Sequence, residues 1–101
     1  MKLNLFFQGE FLGELDLAQG EQTAGRDFDC ALVLSAYSSV SNHHARFLER
    51  DGRAFVRDLQ STNGTWLNGR RLQVKTAEPL SEGDEITFGR NGVRLSFSRG
   101  V

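Results

Sequence analysis

The chain has 101 residues, of which 39% are hydrophobic and 25% are charged, the proportions of one ordinary globular domain. Its 12 basic and 13 acidic residues give a net charge of −1, without the basic excess typical of nucleic-acid binders. The N-terminus turns polar too early for a signal peptide, and no apolar run approaches the roughly 18–20 residues of a transmembrane helix. We therefore expect a single domain over residues 1–101, cytoplasmic and monomeric, with neither nucleic acid nor membrane as its partner.

The N-terminal segment alternates apolar and polar side chains. Between residues 3 and 7 every second side chain is a large hydrophobic one, which predicts a strand with one apolar face. After Gly9 a second run begins, in which Phe11, Leu15 and Leu17 are expected to share a face. The short break between the runs predicts a hairpin.

Further strands follow, separated by turn residues. Residues 31–34 form a short apolar run typical of a buried strand. Asp51-Gly52 and Asn91-Gly92 are hairpin signals, because glycine tolerates the positive φ of such turns. The strands predicted beside them cover residues 44–50, 53–59, 84–89 and 93–98. Since no window has helical spacing over three turns, an all-β sandwich or barrel is expected.

Cys30 is the single cysteine of the chain, so it cannot form an internal disulfide. No Cys/His spacing of a metal site surrounds it. We expect a small buried side chain there, and neither a metal nor a cofactor.

Two polar stretches interrupt the strand pattern. Residues 35–43 are rich in hydroxyl groups, and residues 60–64 are polar and end in glycine. Together with Gly25-Arg26 they are the candidate functional segments, because loops on a rigid sandwich usually carry binding residues.

Four blocks, in order along the chain, resemble the forkhead-associated (FHA) domain family. They are Gly25-Arg26, residues 41–45 (SNHHA), residues 58–69 (DLQSTNGTWLNG) and residues 80–89 (LSEGDEITFG). The resemblance implies a sandwich of about eleven strands in two mostly antiparallel sheets, with ligand-binding loops at one end. Members of this family typically bind phosphothreonine in a short extended peptide.

The resemblance also implies roles for individual residues. Arg26 and Ser41 match the main phosphate-contacting positions, and Thr62 matches a third. Asn63 matches the position that holds the main chain of the ligand. Asn42 stands where the commonest family version has arginine, and it is expected to bond the peptide main chain instead.

Three further positions are expected to support the loops, namely Gly25, His44 and Gly64. His43 is a candidate auxiliary contact, and a solvated side chain is the alternative interpretation. On this view the chain is a phosphothreonine-dependent interaction module without catalysis. Its partner is a threonine-phosphorylated protein or peptide, with kinases and kinase substrates as candidates.

The chemistry of these residues is consistent with such a ligand. A phosphorylated side chain carries about −1.5 to −2 charges and three acceptor oxygens. The planar guanidinium of Arg26 can donate two parallel hydrogen bonds to it, and the hydroxyls of Ser41 and Thr62 can add others.

Two alternatives remain at this point. One is a phospho-independent interaction domain that uses a sandwich face, with Trp66, Phe6 and Tyr37 as anchors. The other is a small hydrolase that uses Ser41 and His44, although no orienting acid or oxyanion hole is recognisable in the sequence.

Overall fold

The computed structural model describes residues 1–17, 20–90 and 92–99. These residues form eleven strands and no helix. The strands are β1 (Lys2–Phe7), β2 (Glu10–Asp16), β3 (Gly20–Gly25), β4 (Leu32–Val33), β5 (Ala45–Arg50), β6 (Arg53–Asp58), β7 (Thr65–Leu67), β8 (Arg70–Arg71), β9 (Glu78–Pro79), β10 (Glu85–Phe88) and β11 (Val93–Ser98).

The strands build two sheets. One has six strands in the order β2-β1-β11-β10-β7-β8, and the other has five in the order β4-β3-β5-β6-β9. All neighbouring strands pair antiparallel except β3 and β4. The prediction of an all-β sandwich in two mostly antiparallel sheets is confirmed. Within the described ranges, no helix is long and apolar enough to cross a membrane.

The core lies between the sheets and follows the period-two pattern of the sequence. In β11, Val93, Leu95 and Phe97 are buried while the residues between them are partly exposed. The five-stranded sheet contributes Phe47 and Val56 to the opposite side of this core. Alternating side chains of both sheets thus fill one continuous apolar layer.

Two hairpins show how the turn chemistry sets the register. Asp51 and Gly52 have φ values of 54° and 76°, and they connect β5 to β6 with Arg50 opposite Arg53. This is the two-residue turn that the sequence predicts. A second turn of this kind, Asn68-Gly69, joins β7 to β8 and was not predicted. Of the other predicted turn, Asn91-Gly92, Asn91 lies outside the described residues, but β10 and β11 pair as predicted.

One predicted face is wrong. Phe11 does not share a face with Leu15, because β2 contains an extra residue, Leu12, between the pairs Phe6↔Phe11 and Leu5↔Gly13. This β-bulge moves Phe11 to the outer side of the sheet, where its ring contacts Phe6 at 5.6 Å between centroids. Phe11 is therefore 56% exposed.

Candidate functional site

The predicted loops meet at one end of the sandwich. The turn after β3, the segment before β5 and the loop between β6 and β7 surround an open cavity of about 310 Å³. The cavity is lined by Arg26, Ser38, Ser39, Val40, Ser41, Asn42, Thr62 and Asn63. The structure thus brings together five of the six residues for which the sequence analysis expected or considered contact with a ligand, and His43 is the exception.

Arg26 is the charged side chain among the lining residues. It is exposed, and among the described residues its guanidinium forms no hydrogen bond or ion pair. Its backbone is fixed, because its N–H donates to the carbonyl oxygen of Ser41 at 3.0 Å. The main chain at Arg26 is thus held in place, while the N–H groups of its guanidinium remain available to a ligand.

Ser41 connects two of the loops. Its Oγ accepts a hydrogen bond from the backbone N–H of Thr62 at 3.0 Å. Because the oxygen acts as the acceptor in this bond, the hydroxyl hydrogen remains able to point to an anion in the cavity. The hydroxyl of Thr62 belongs to an exposed residue on the same rim.

His44 is fully buried behind the cavity and contacts both loops. Its Nδ1 accepts from the N–H of Ser41 at 3.1 Å, and its Nε2 lies 2.8 Å from the carbonyl oxygen of Gly64. Since an N–H can only donate, Nδ1 carries no hydrogen and Nε2 donates to Gly64. Burial lowers the pKa of His44, although the Gly64 carbonyl and Asp58 oppose this shift.

This arrangement does not support a Ser41–His44 nucleophile. Both ring nitrogens of His44 are occupied by backbone groups, and the hydroxyl of Ser41 is bonded to Thr62 rather than to the imidazole. The general base that a serine nucleophile needs is therefore not in contact with it.

The two loop-supporting glycines are each in a crowded position. A Cβ on Gly25 would lie 2.1 Å from the carbonyl oxygen of Asn42, so the end of β3 can approach the cavity loop only without a side chain. Gly64 has a φ of +85°, and a Cβ there would meet Arg71. Its carbonyl oxygen also accepts from the N–H of Gly89 at 2.8 Å, which ties the loop to the end of β10.

Asn63 points across the cavity rim. Its side-chain Nδ2 donates to the carbonyl oxygen of Ser39 at 2.8 Å. Its main-chain carbonyl oxygen accepts a hydrogen bond from Trp66 Nε1 at 3.3 Å. A second amide hydrogen and the side-chain oxygen remain for a peptide main chain. Ser39 and its neighbour Ser38 had no predicted role, since a serine-rich loop gives no signal for which carbonyl faces the site.

A buried network beneath the 60–64 loop also escaped the sequence analysis. The carboxylate of Asp58 accepts three hydrogen bonds. Two come from Ser61, one from its hydroxyl and one from its backbone N–H at 3.2 Å, and the third comes from Thr65 Oγ1 at 2.7 Å. All three residues are buried. Their positions inside a recognised motif are a signal that could have found them, because hydroxyls spaced around an aspartate often form such a turn.

His43 does not line the cavity. Its Nε2 lies 2.9 Å from Asp29 Oδ1 and 3.8 Å from Asp27 Oδ2. The auxiliary contact with a ligand stays a prediction. Beside this pair the thiol of Cys30 is buried, as expected, and burial together with the two carboxylates raises its pKa.

The aromatic residues considered as anchors are partly buried. Trp66 lies beneath Arg90, Phe6 beneath Arg94, and the ring of Tyr37 packs on Phe7 at 4.8 Å. None of the three is an exposed anchor, because each is covered by a neighbour within its own domain.

Two packed sheets with a cation-bearing cavity built from the loops at one end define a small binding domain. Comparison with known proteins gives its family: the model of the FHA domain matches residues 23–89. The chain belongs to the FHA domain family.

Curated relatives share this domain within longer proteins. The chain is 44% identical over 68 residues to the serine/threonine-protein kinase RAD53 of Saccharomyces cerevisiae, a match that covers 66% of this chain and 8% of the kinase. It is 38% identical over 78 residues to the oxoglutarate dehydrogenase inhibitor of Corynebacterium diphtheriae, which covers 77% of this chain and 50% of that protein. The chain thus spans at most half the length of these two relatives.

A solved structure extends the similarity to almost the whole chain. It comes from a structural and functional analysis of phosphothreonine-dependent FHA domain interactions, with a TM-score of 0.75 and 28% sequence identity. The match covers 94% of this chain and 91% of that one.

Proposed function

We propose that this chain binds a threonine-phosphorylated segment of a partner protein in the cavity formed by its end loops, and that it does so without catalysis. The observation that carries the proposal is the guanidinium of Arg26. It has no protein partner among the described residues and stands at the rim of a cavity that also bears Ser41 and Thr62.

Phosphate recognition follows from the available donors. The guanidinium of Arg26 offers two parallel N–H groups, and the hydroxyls of Ser41 and Thr62 each offer one O–H. Hydrogen bonds to a charged group are worth about 1.5–3 kcal/mol each, so three such residues are sufficient to select the phosphorylated form. The bond from the backbone N–H of Thr62 to Ser41 Oγ holds the Ser41 side chain and the Thr62 main chain in place before the ligand arrives, which reduces the entropy lost on binding.

The peptide main chain is proposed to lie across Asn63 and Asn42. Both are exposed at the rim of the cavity, and an amide offers a donor and an acceptor to an extended backbone. Because a short peptide covers little area, we expect a dissociation constant of about micromolar order, or about −8 kcal/mol.

The comparisons support the ligand class. The solved structure described above is an FHA domain studied for phosphothreonine-dependent interactions, and one relative is named a protein kinase. We therefore propose threonine-phosphorylated proteins as partners, with kinases and kinase substrates as candidates, and we propose the cytoplasm as the place where the chain meets them.

The test begins by selecting a peptide from a phosphothreonine peptide library. The affinities of that peptide and of its unphosphorylated counterpart are then measured by calorimetric titration. The Arg26→Ala variant should bind the selected peptide about 30- to 1000-fold more weakly, which corresponds to about 2–4 kcal/mol. Arg50→Ala is the matched control, because Arg50 is an exposed arginine at the end of β5 that lies farthest from His44. It should bind like the unchanged chain.

Two outcomes would contradict the proposal. Equal affinity of a folded Arg26→Ala variant would remove the guanidinium from the site. Partner binding that survives phosphatase treatment would favour the phospho-independent interaction through a sandwich face.

A further inference from the structure

A second group of polar side chains lies beside the cavity, on the turn after β3 and on the segment before β5. It consists of Asp29, Cys30 and His43, whose ligand atoms all lie within 4.8 Å of one another. Asp29 Oδ1 is 2.9 Å from His43 Nε2 and 3.7 Å from Cys30 Sγ. Asp27 approaches from the same turn, with its Oδ2 3.8 Å from His43 Nε2.

These separations are close to those of a tetrahedral zinc site. Zinc bonds of about 2.0 Å to nitrogen and oxygen and about 2.3 Å to sulfur place neighbouring ligand atoms roughly 3.3–3.6 Å apart. The observed distances of 2.9, 3.7 and 3.8 Å bracket that range. The two carboxylates and the imidazole have room to rotate toward this geometry, since their side-chain exposures are between 47% and 67%.

We propose that Asp29, Cys30 and His43 bind a zinc ion, with Asp27 as the fourth ligand. On binding, the Cys30 sulfur forms a bond to Zn²⁺ and its thiol proton leaves to solvent, so the ion takes a thiolate, a neutral imidazole and two carboxylates. The site is outside the phosphate cavity, whose lining includes none of these four residues. The proposal therefore does not depend on the proposed peptide binding.

The mixture of ligand atoms selects the metal. A thiolate and an imidazole favour zinc over magnesium and calcium, which prefer an all-oxygen shell. The buried Sγ of Cys30 gives the site a fixed wall, since this residue is only 6% exposed. The sequence did not indicate the site because Cys30 and His43 come from separate segments that meet only in the fold.

Backbone bonds already hold these segments together. The N–H of Asp27 donates to the carbonyl oxygen of Asn42 at 3.2 Å, and the N–H of Cys30 donates to the carbonyl oxygen of Asp27 at 3.1 Å. A bound zinc would add a side-chain crosslink between the turn and the segment. It would thus brace the main chain next to Arg26 and Asn42 and stabilise the folded state by mass action.

The experiment uses the chelator-treated chain without an affinity tag. Titration with zinc chloride by calorimetry should give one site per chain, and zinc should raise the melting temperature. Titration with cobalt(II) should produce a near-ultraviolet thiolate-to-metal charge-transfer band. Because Cys30 is the single cysteine, that band reports this site alone.

Two variants and one control decide the result. Cys30→Ser should abolish the cobalt band, and His43→Gln should weaken zinc binding at least about tenfold, the loss that removing even an outer-shell partner causes. Asp16→Asn, an exposed carboxylate on β2, should leave both unchanged. A chain with no charge-transfer band, or a His43→Gln variant with unchanged zinc affinity, would overturn the proposal. The His43 test also holds if Cys30→Ser fails to fold, because His43 is exposed.

Discussion

His44 joins the site to the core through a neutral imidazole. One ring nitrogen accepts from Ser41, the other donates to Gly64, and the ring stacks on Phe88 at 4.5 Å between centroids. Protonation of Nδ1 would turn the acceptor into a second donor and leave the N–H of Ser41 without a partner. The protonation state of this residue therefore sets the stability of the loops.

We predict an acid-induced loss of stability that depends on His44. Burial lowers its pKa in the folded chain below the ordinary value of 6.5, so the unfolded chain binds the proton more readily. The free energy of unfolding should be constant well above pH 6.5, fall as the pH drops through 6.5, and level off once folded His44 is protonated. Urea unfolding from about pH 8 to pH 5 measures it.

The control is the neighbouring histidine. His43→Gln should keep this pH dependence between pH 8 and pH 5, whereas His44→Asn should lose much of it at the cost of lower stability throughout. An identical acid slope in the two variants would show that His44 is not the responsible group.

A second prediction at the residue scale concerns Val40 and the preference for phosphothreonine over phosphoserine. It is the apolar side chain among the residues that line the cavity, and it is itself buried. A phosphothreonine methyl packed against it gains at most about 0.8 kcal/mol from burial, so a phosphoserine peptide should bind up to about fourfold more weakly. Paired peptides that differ only in this methyl measure the ratio. Equal affinities would mean that Val40 does not receive the methyl.

At the scale of elements, the site is built where strands end. Gly25 closes β3 directly behind the carbonyl of Asn42, and His44 precedes β5. The loop after Asp58 leaves β6 of one sheet and enters β7 of the other. The side chains that line the cavity thus lie in loops beside strands whose positions the core has already fixed.

Gly25→Ala tests this close approach. A Cβ would lie 2.1 Å from a backbone oxygen, so either β3 or the loop must shift. We expect a loss of about 1–3 kcal/mol in the free energy of unfolding, the usual range for overpacking, together with weaker phosphopeptide binding. Chemical denaturation and calorimetry measure the two effects.

Gly83→Asn provides the comparison for Gly25. Its φ is +83° and nothing lies within 4 Å of the added Cβ, so only a small loss is expected, since asparagine tolerates this conformation. Similar losses in both variants would show that general glycine strain, rather than the approach to Asn42, is responsible.

The sequence predicted the elements that carry strong local signals. The β5–β6 hairpin was found from Asp51-Gly52, and β11 was found with its correct ends from the alternation of residues 93–98. β3 was not predicted, because Gly20–Gly25 has few β-branched or aromatic side chains and owes its conformation to pairing with β5. The bulge at Leu12 was missed for a similar reason, since it depends on the register with β1.

In the candidate site, too, features with a local sequence signal were predicted and features that depend on long-range contacts were not. The five residues expected to bind the phosphate or the peptide main chain lie together at the cavity, and their contacts with a ligand stay predictions. The bond from Asn63 to the Ser39 carbonyl and the cluster around Cys30 could not be predicted, since both join segments that are distant along the chain. Long-range contacts of this kind have no signal in a single sequence.

At the scale of the molecule, the hydrophobic core directly supports the candidate site through Phe88. Phe88 is fully buried in β10 of the six-stranded sheet, while His44 and Phe47, on which its ring packs, belong to the opposite side. Loss of this ring would remove the support of the imidazole as well as apolar contact area.

Phe88→Ala should therefore lower the free energy of unfolding by about 3–5 kcal/mol, the range of large-to-small changes at buried aromatics. Phe28→Ala is the matched control, because Phe28 is 81% exposed and its removal should change stability by at most about 0.5 kcal/mol. Urea denaturation of both variants gives the difference. Comparable values for the two phenylalanines would contradict the placement of Phe88 in the core.

The extra residue in β2 has a consequence for how the molecule meets copies of itself. β2 is the outermost strand of its sheet, and an outermost strand offers a row of unsatisfied backbone groups to any passing chain. At Leu12 the even spacing of those groups is broken by the bulge, next to Gly13 with its φ of 148°. A second chain could therefore pair with this edge strand for only a few residues before the hydrogen-bonding register is lost. The bulge thus limits edge-to-edge association between copies of the molecule.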